Sequence, residues 1–167
     1  MRGCVTYLVL AAVLVLPCTA TAQGSPDQKR LDAMAGRWRV DVDLKATPLT
    51  QAAKASGTEE CEWFADRHVV CRSEAKGPAG SYSQMRTFSY IPARKEYAVY
   101  AVDSLGTALL AHGQASGDTW TFTTSQPAFN IRLTVKIAPD AYTAVAEYSG
   151  LDGKYLPLSE VRATRTK

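Results

Sequence analysis

The chain has 167 residues, with 19 Lys and Arg against 16 Asp and Glu and a formal net charge of +3. That near-balance, without any block of basic residues, lacks the electrostatic footprint of a nucleic-acid binder. The length suits one domain that can bury a real core.

The first segment reads as an export leader. Arg2 supplies a positive start, residues 7–16 form an unbroken apolar run (YLVLAAVLVL), and Ala20-Thr21-Ala22 fits the A-x-A pattern of a cleavage site. Cleavage is expected after Ala22, making residues 1–22 a signal peptide and residues 23–167 an exported domain, periplasmic or secreted. The run falls short of the about 20 residues of a spanning helix, so no integral membrane segment is expected after cleavage. A lipoprotein is the rival reading because Cys18 follows the run, but Pro17 stands where a lipobox wants a small residue.

Ser25-Pro26-Asp27-Gln28 is a helix start, with a capping serine, a proline at the first helical position and glutamine at the third. Leu31, Met34 and Ala35 give it an apolar stripe and Gly36 a stop. Such a helix is placed to cover one end of whatever the following strands enclose.

From Gly36 onward the period is two. Trp38, Val40, Val42 and Leu44 alternate with charged residues, as in a half-buried antiparallel strand. After a loop over residues 47–57, strands at 59–64 and 68–74 flank the turn Ala65-Asp66-Arg67. Cys61 and Cys71 lie equally far from Asp66 and are expected to face each other. Removal of the leader takes Cys4 and Cys18 with it, so Cys61 and Cys71 are expected to form one disulfide in an oxidising compartment. The bridge closes a short loop and contributes about 2–3 kcal/mol. A metal site built on Cys61, His68 and Cys71 lacks a fourth ligand and needs free thiols; no metal is expected.

Further strands follow at 81–91, 96–103, 107–115, 119–124, 131–137, 141–148 and 155–165, divided by turns such as Pro92-Ala93-Arg94-Lys95 and Ser116-Gly117-Asp118. The count comes to about ten, with the turn spacing of an all-β barrel or sandwich. Successive hairpins favour a closed barrel, which removes exposed sheet edges.

The residues also resemble a known group. Gly36-Arg37-Trp38 after a short helix matches the G-x-W signature of calycins. More closely, the chain resembles the bacterial family called domain of unknown function 1579, in residues 31–38 (LDAMAGRW), 62–68 (EWFADRH), 90–107 (YIPARKEYAVYAVDSLGT) and 160–165 (EVRATR). It departs at Ile91, where that family usually has aspartate, and at Ala101, where it often has an aromatic. The resemblance implies a calycin-like (lipocalin-type) antiparallel barrel with a short N-terminal helix, and no established activity. It also implies that Arg165 stacks on Trp38 to close the barrel bottom, a structural role.

Signatures of catalysis are scarce. Residues 23–167 hold His68 and His112, with no G-x-S-x-G, H-E-x-x-H or glycine-rich phosphate loop. Glu59-Glu60 and Asp41/Asp43 read as solvated faces. No cofactor is expected; calycin-like barrels that hold haem use a histidine late in the chain, and none follows His112. The residues expected to line a cavity are Phe88, Tyr90, Tyr100, Asp103, His112, Trp120 and Phe122, with Asp103 at the mouth. The leading expectation is an exported barrel that binds a small apolar or amphipathic ligand. The alternatives are an enzyme using Asp103 and His112 at the mouth, and a filled structural or protein-interaction barrel.

Overall fold

A computed structural model describes residues 24–48, 50–78, 80–125, 129–150 and 152–167. The expected leader and its cleavage site lie outside these residues. The first element is the helical turn α1 (Pro26–Lys29), which tightens at once into a 3-10 turn over Arg30–Ala33. The Gln28 N–H donates to Ser25 Oγ at 3.2 Å, so the cap forms as its residues dictate.

Ten strands follow: β1 (Gly36–Leu44), β2 (Ala53–Phe64), β3 (His68–Gly77), β4 (Gly80–Ile91), β5 (Glu96–Asp103), β6 (Ala108–Ser116), β7 (Thr119–Ser125), β8 (Asn130–Ala138), β9 (Ala141–Ser149) and β10 (Tyr155–Thr166). Each pairs antiparallel with its neighbours in the chain, and β1 pairs with β10 to close the barrel. The calycin-like expectation holds, and the sandwich alternative falls because all ten strands join in one closed ring.

The second strand begins at Ala53, six residues before its expected start. Its early inward positions are Ala53, Ala55 and Gly57, too small to register as an apolar stripe, yet they pair with Leu44, Val42 and Val40. Gly57 is required there: any side chain would collide with the Glu74 backbone of β3. Farther along the same ladder Cys61 pairs with Cys71 and the two sulfurs are bonded, both buried inside the barrel.

The helical turns close one end. Gln28 Nε2 donates to the Asp66 carbonyl at 2.6 Å, Arg30 Nη2 to the Gly117 carbonyl at 2.8 Å, and Trp63 Nε1 to Asp32 Oδ1 at 2.8 Å. Leu31 is fully buried beneath them. The ring seam is fastened at this end too. The Arg165 guanidinium lies 4.1 Å from the Trp38 ring centre and donates to the carbonyls of Ala35, Ala33 and Pro139 at 2.6, 3.3 and 2.9 Å. Gly36, at φ +133°, leaves room for it, since a Cβ would meet Arg165 Nη1.

Arg165→Ala removes the stacking, three hydrogen bonds and the link between helix, β1 and β10. Urea unfolding should show a loss of at least about 2 kcal/mol. A change within about 0.5 kcal/mol, the usual effect of a surface substitution, would contradict the role assigned to this residue.

Candidate functional site

The inner face of β4 runs from rim to helix as Tyr82, Gln84, Arg86, Phe88 and Tyr90, and the interior changes character along the same line. At the helix end it is filled. Phe88 packs edge-on against Phe122 at 6.1 Å between ring centres, Tyr97 against Trp120 at 4.4 Å, Tyr90 against Tyr97 at 5.1 Å, and Trp38 against Tyr142 at 5.1 Å. Tyr90 and Tyr97 donate their hydroxyls to Asp27, tying the aromatic layer to α1. A void of about 10 Å³ remains beside Met34, Glu59, Arg86 and Phe88, room for no more than about one water.

The structure therefore brings Phe88, Tyr90, Trp120 and Phe122 together, packed against one another. Two expected lining residues are placed elsewhere. Tyr97, Val99 and Ala101 are the inward residues of β5, which turns Tyr100 to the outside. Ala111 points inward on β6, so His112 also faces out, where its Nδ1 lies 3.0 Å from Glu96 Oε1. Both parities of residues 97–102 are apolar, so local alternation could not say which face is buried.

A buried ion pair lies between the aromatic layer and the rim. Glu59 is 3% exposed, shares the inward parity of Cys61, and is ion-paired with Arg86. Tyr142 donates its hydroxyl to Glu59 Oε1 at 2.8 Å. The reading of Glu59 as a solvated residue is thus corrected: its parity with a buried cysteine was the available signal, masked by the adjacent Glu60. Burial alone would lower the Arg86 pKa, but the Glu59 charge outweighs it and holds the guanidinium charged. Burial pushes the Tyr142 phenol above its ordinary value, against the opposing pull of Arg86. Arg86 Nε is buried and unpartnered. Ligand atoms of Glu59, Cys61 and Cys71 lie within 4.8 Å of one another, but the two sulfurs are bonded together and the carboxylate is occupied, a donor set that does not fit a metal.

Toward the rim most inward residues are small or only partly buried, although Tyr148 of β9 and Thr124 of β7, both paired with Ile131, stay buried at that level. Val42 and Leu44 of β1, Ala55 of β2, Leu109 of β6 and Ile131 of β8 face inward, by parity with buried neighbours, yet keep part of their surface in solvent. Ala101 faces inward and pairs with Arg86 and Leu109. The polar wall is Tyr82, Gln84 and Asp103. Gln84 Nε2 donates to the Tyr82 hydroxyl at 2.9 Å, and that hydroxyl donates to Asp103 Oδ2 at 3.2 Å. Asp103 Oδ1 accepts the N–H groups of Leu105 and Thr107, both at 2.9 Å. Burial opposes the Asp103 charge, but the Thr107 and Leu105 N–H groups and Tyr82 prevail and hold its pKa below the ordinary value. Burial, then the Asp103 charge, raises the Tyr82 pKa. Trp38 and Arg165 sit at the opposite end, away from this rim.

A larger concavity of about 590 Å³ lies on the outer face of β10, β1, β2 and β3, lined by Asp41, Asp43, Lys54, Lys76, Glu160 and Arg162. Its charges include paired ones, Lys45–Asp43 and Arg162–Glu160, as expected of a solvated sheet surface.

Residues 23–148 match the family model described as "Protein of unknown function (DUF1579)". No curated protein matches the chain in sequence. Among solved structures, the chain is similar to Rv2717c from M. tuberculosis, with a TM-score of 0.67 and 10% identity over 86% of this chain and 99% of that one. It is also similar to the S-type phycobiliprotein lyase CPES from Guillardia theta, with a TM-score of 0.59 and 12% identity over 84% and 92%. At such identities the likeness is one of fold.

The raised phenols make stability fall in alkali. A phenol whose folded pKa exceeds its unfolded value of about 10 contributes stability that is present below that pH and lost as the pH rises through the folded pKa. Titration by phenolate absorbance should find tyrosines that ionise only as the barrel unfolds, and Tyr142→Phe should remove one of them. Ionisation of every tyrosine near pH 10 with the fold intact would refute the burial of Tyr82 and Tyr142.

Proposed function

We propose a binding role for this chain, which belongs to the DUF1579 family of proteins of unknown function: it is an exported barrel that holds a small apolar or amphipathic molecule in the rim half of its interior. The observation that carries this reading is the division of the interior. One half is packed with aromatic rings under the helical turns. The other leaves Val42, Leu44, Leu109 and Ile131 facing inward and partly exposed, with Tyr148 buried among them and the polar groups of Tyr82, Gln84 and Asp103 on the same rim. Apolar walls with a few convergent polar groups are the ordinary make-up of small-molecule sites. The filled half limits the molecule to one that the rim half can hold.

Binding has more support than catalysis. Both Asp103 oxygens accept hydrogen bonds from neighbours, and His112 stands on the opposite side of the sheet. These polar groups suit the orientation of a head group. Export is supported by the leader pattern of residues 1–22 and by the buried Cys61–Cys71 bridge, a bond that persists in oxidising compartments.

Two measurements test the reading. An environment-sensitive apolar dye should bind the folded protein, and Ala55→Trp, which fills the rim half, should weaken binding at least about tenfold without lowering the melting temperature. No dye binding, together with no co-purifying adduct in native mass spectra, would leave a filled structural barrel in its place. The intact mass of protein recovered from outside the cytoplasm should correspond to a chain starting at Gln23 with Cys61 and Cys71 oxidised. A chain starting at a lipidated Cys18, or one carrying two free thiols, would overturn the export reading.

A further inference from the structure

We propose that the outer face of β4–β7 is a contact surface between two copies of this chain. The outside of the barrel is divided by charge. The strands β8, β9, β10, β1, β2 and β3 carry charged residues on their outer faces, among them Lys136, Glu160, Asp41, Lys54, Glu62 and Arg72. Among the described residues, the outer faces of β4–β7 carry one formal charge, Glu96, at the helix end, where it meets Arg94 and His112. Between that end and the rim the face is built from Met85, Thr87, Tyr100, Val102 and Leu110, with Thr121 beyond them.

These residues are contiguous. Thr87 pairs with Tyr100 and Tyr100 with Leu110; Met85 pairs with Val102 in the next rung. Met85, Tyr100 and Leu110 are 39, 46 and 50% exposed, so the apolar surface is in water and not tucked under a loop. A patch depleted of charge and containing Tyr, Met and Leu has the composition of an interface centre.

The charge pattern selects the occupant. About a two-fold axis a residue near the axis meets its own copy, so any charge there faces a like charge; a face free of charge at its centre suits such a contact. The face offers no charge by which a different protein could be steered to it or selected. A membrane surface would be met by Lys or Arg around the apolar residues, and these strands present neither outward. The dimensions agree with a reversible dimer. Four strands about 4.8 Å apart and about seven residues long at about 3.3 Å each give a footprint of about 19 by 23 Å. That lies below the about 800 Å² per partner of a standard interface and within the range of weak, reversible association.

Sedimentation velocity of the purified protein from about 1 to about 200 μM tests the proposal. The expected result is a monomer–dimer equilibrium. Leu110→Lys, which sets two ammonium groups together across the axis, should raise the dimer Kd at least about thirtyfold, and Tyr100→Lys should do likewise. Circular dichroism and melting confirm that each variant folds. Thr143→Lys, on the charged side of the barrel, should leave the equilibrium unchanged. A wild-type monomer at every concentration would overturn the proposal, as would a dimer that both lysine variants leave intact. A monomer that binds phosphatidylcholine vesicles would assign the face to a membrane instead.

Discussion

The contact of Arg165 with Trp38 joins more of this structure than any other single interaction. The two residues are paired across the seam where the last strand meets the first, so the ring closes at their position. The same guanidinium reaches the carbonyls of Ala33 and Ala35, which fixes the chain between the helical turns and β1. One side chain therefore sets the closure of the sheet and the position of the cap. With the cap in place Leu31 and Met34 enter the core, and Asp27 receives the hydroxyls of Tyr90 and Tyr97. The filled half of the interior follows from this end of the barrel being held shut.

The Glu59–Arg86 pair sits above that layer, with Tyr142 as its third member. Burying two charges is costly, and an apolar pair of similar volume is often as stable or more so. Here the pair gives the interior a polar floor below Gln84 and Tyr82, separating close-packed rings from a rim lined mostly by small and partly buried residues. Arg86 also lies over the Phe88 ring at 5.7 Å, so the floor is packed onto the aromatic layer. The unpartnered Arg86 Nε lies in that same region, in reach of a single buried water at most.

The outer surface repeats the division in another form. Between Glu96 and Asp103 both faces of β5 are apolar, which lets one serve the core through Tyr97, Val99 and Ala101 while the other presents Tyr100 and Val102 outward. A strand of that kind spends hydrophobic surface outside the fold, and the neighbouring strands surround it with Thr and Ser in place of charges. On the far side of the ring, charged residues on β10, β1 and β2 pair across and along the strands in the usual way of a solvated sheet.

Most of the architecture was legible in the residues because it is written in short-range signals. Alternation with period two, turn residues between the runs, the Ser25-Pro26 cap and the symmetric placement of Cys61 and Cys71 about Asp66 need no knowledge of distant parts of the chain. Even the seam was visible, through the resemblance of Gly36-Arg37-Trp38 and Arg165 to a calycin pattern. The start of β2 was not, because Ala53, Ala55 and Gly57 pack by being small and leave no apolar period. Nor was the outward turn of Tyr100 and His112, since either face of those strands could be inward until the ring closes, while the burial of Glu59 was signalled only by its parity with Cys61 and masked by the adjacent Glu60. Whether the interior is full or open depends on the summed volumes of side chains from ten strands at one level of the barrel. Strand order and hairpin pairing were thus determined by the sequence alone, while the inward face of ambiguous strands, the buried charge and the filled half were decided by closure, which brings together residues that no local pattern relates.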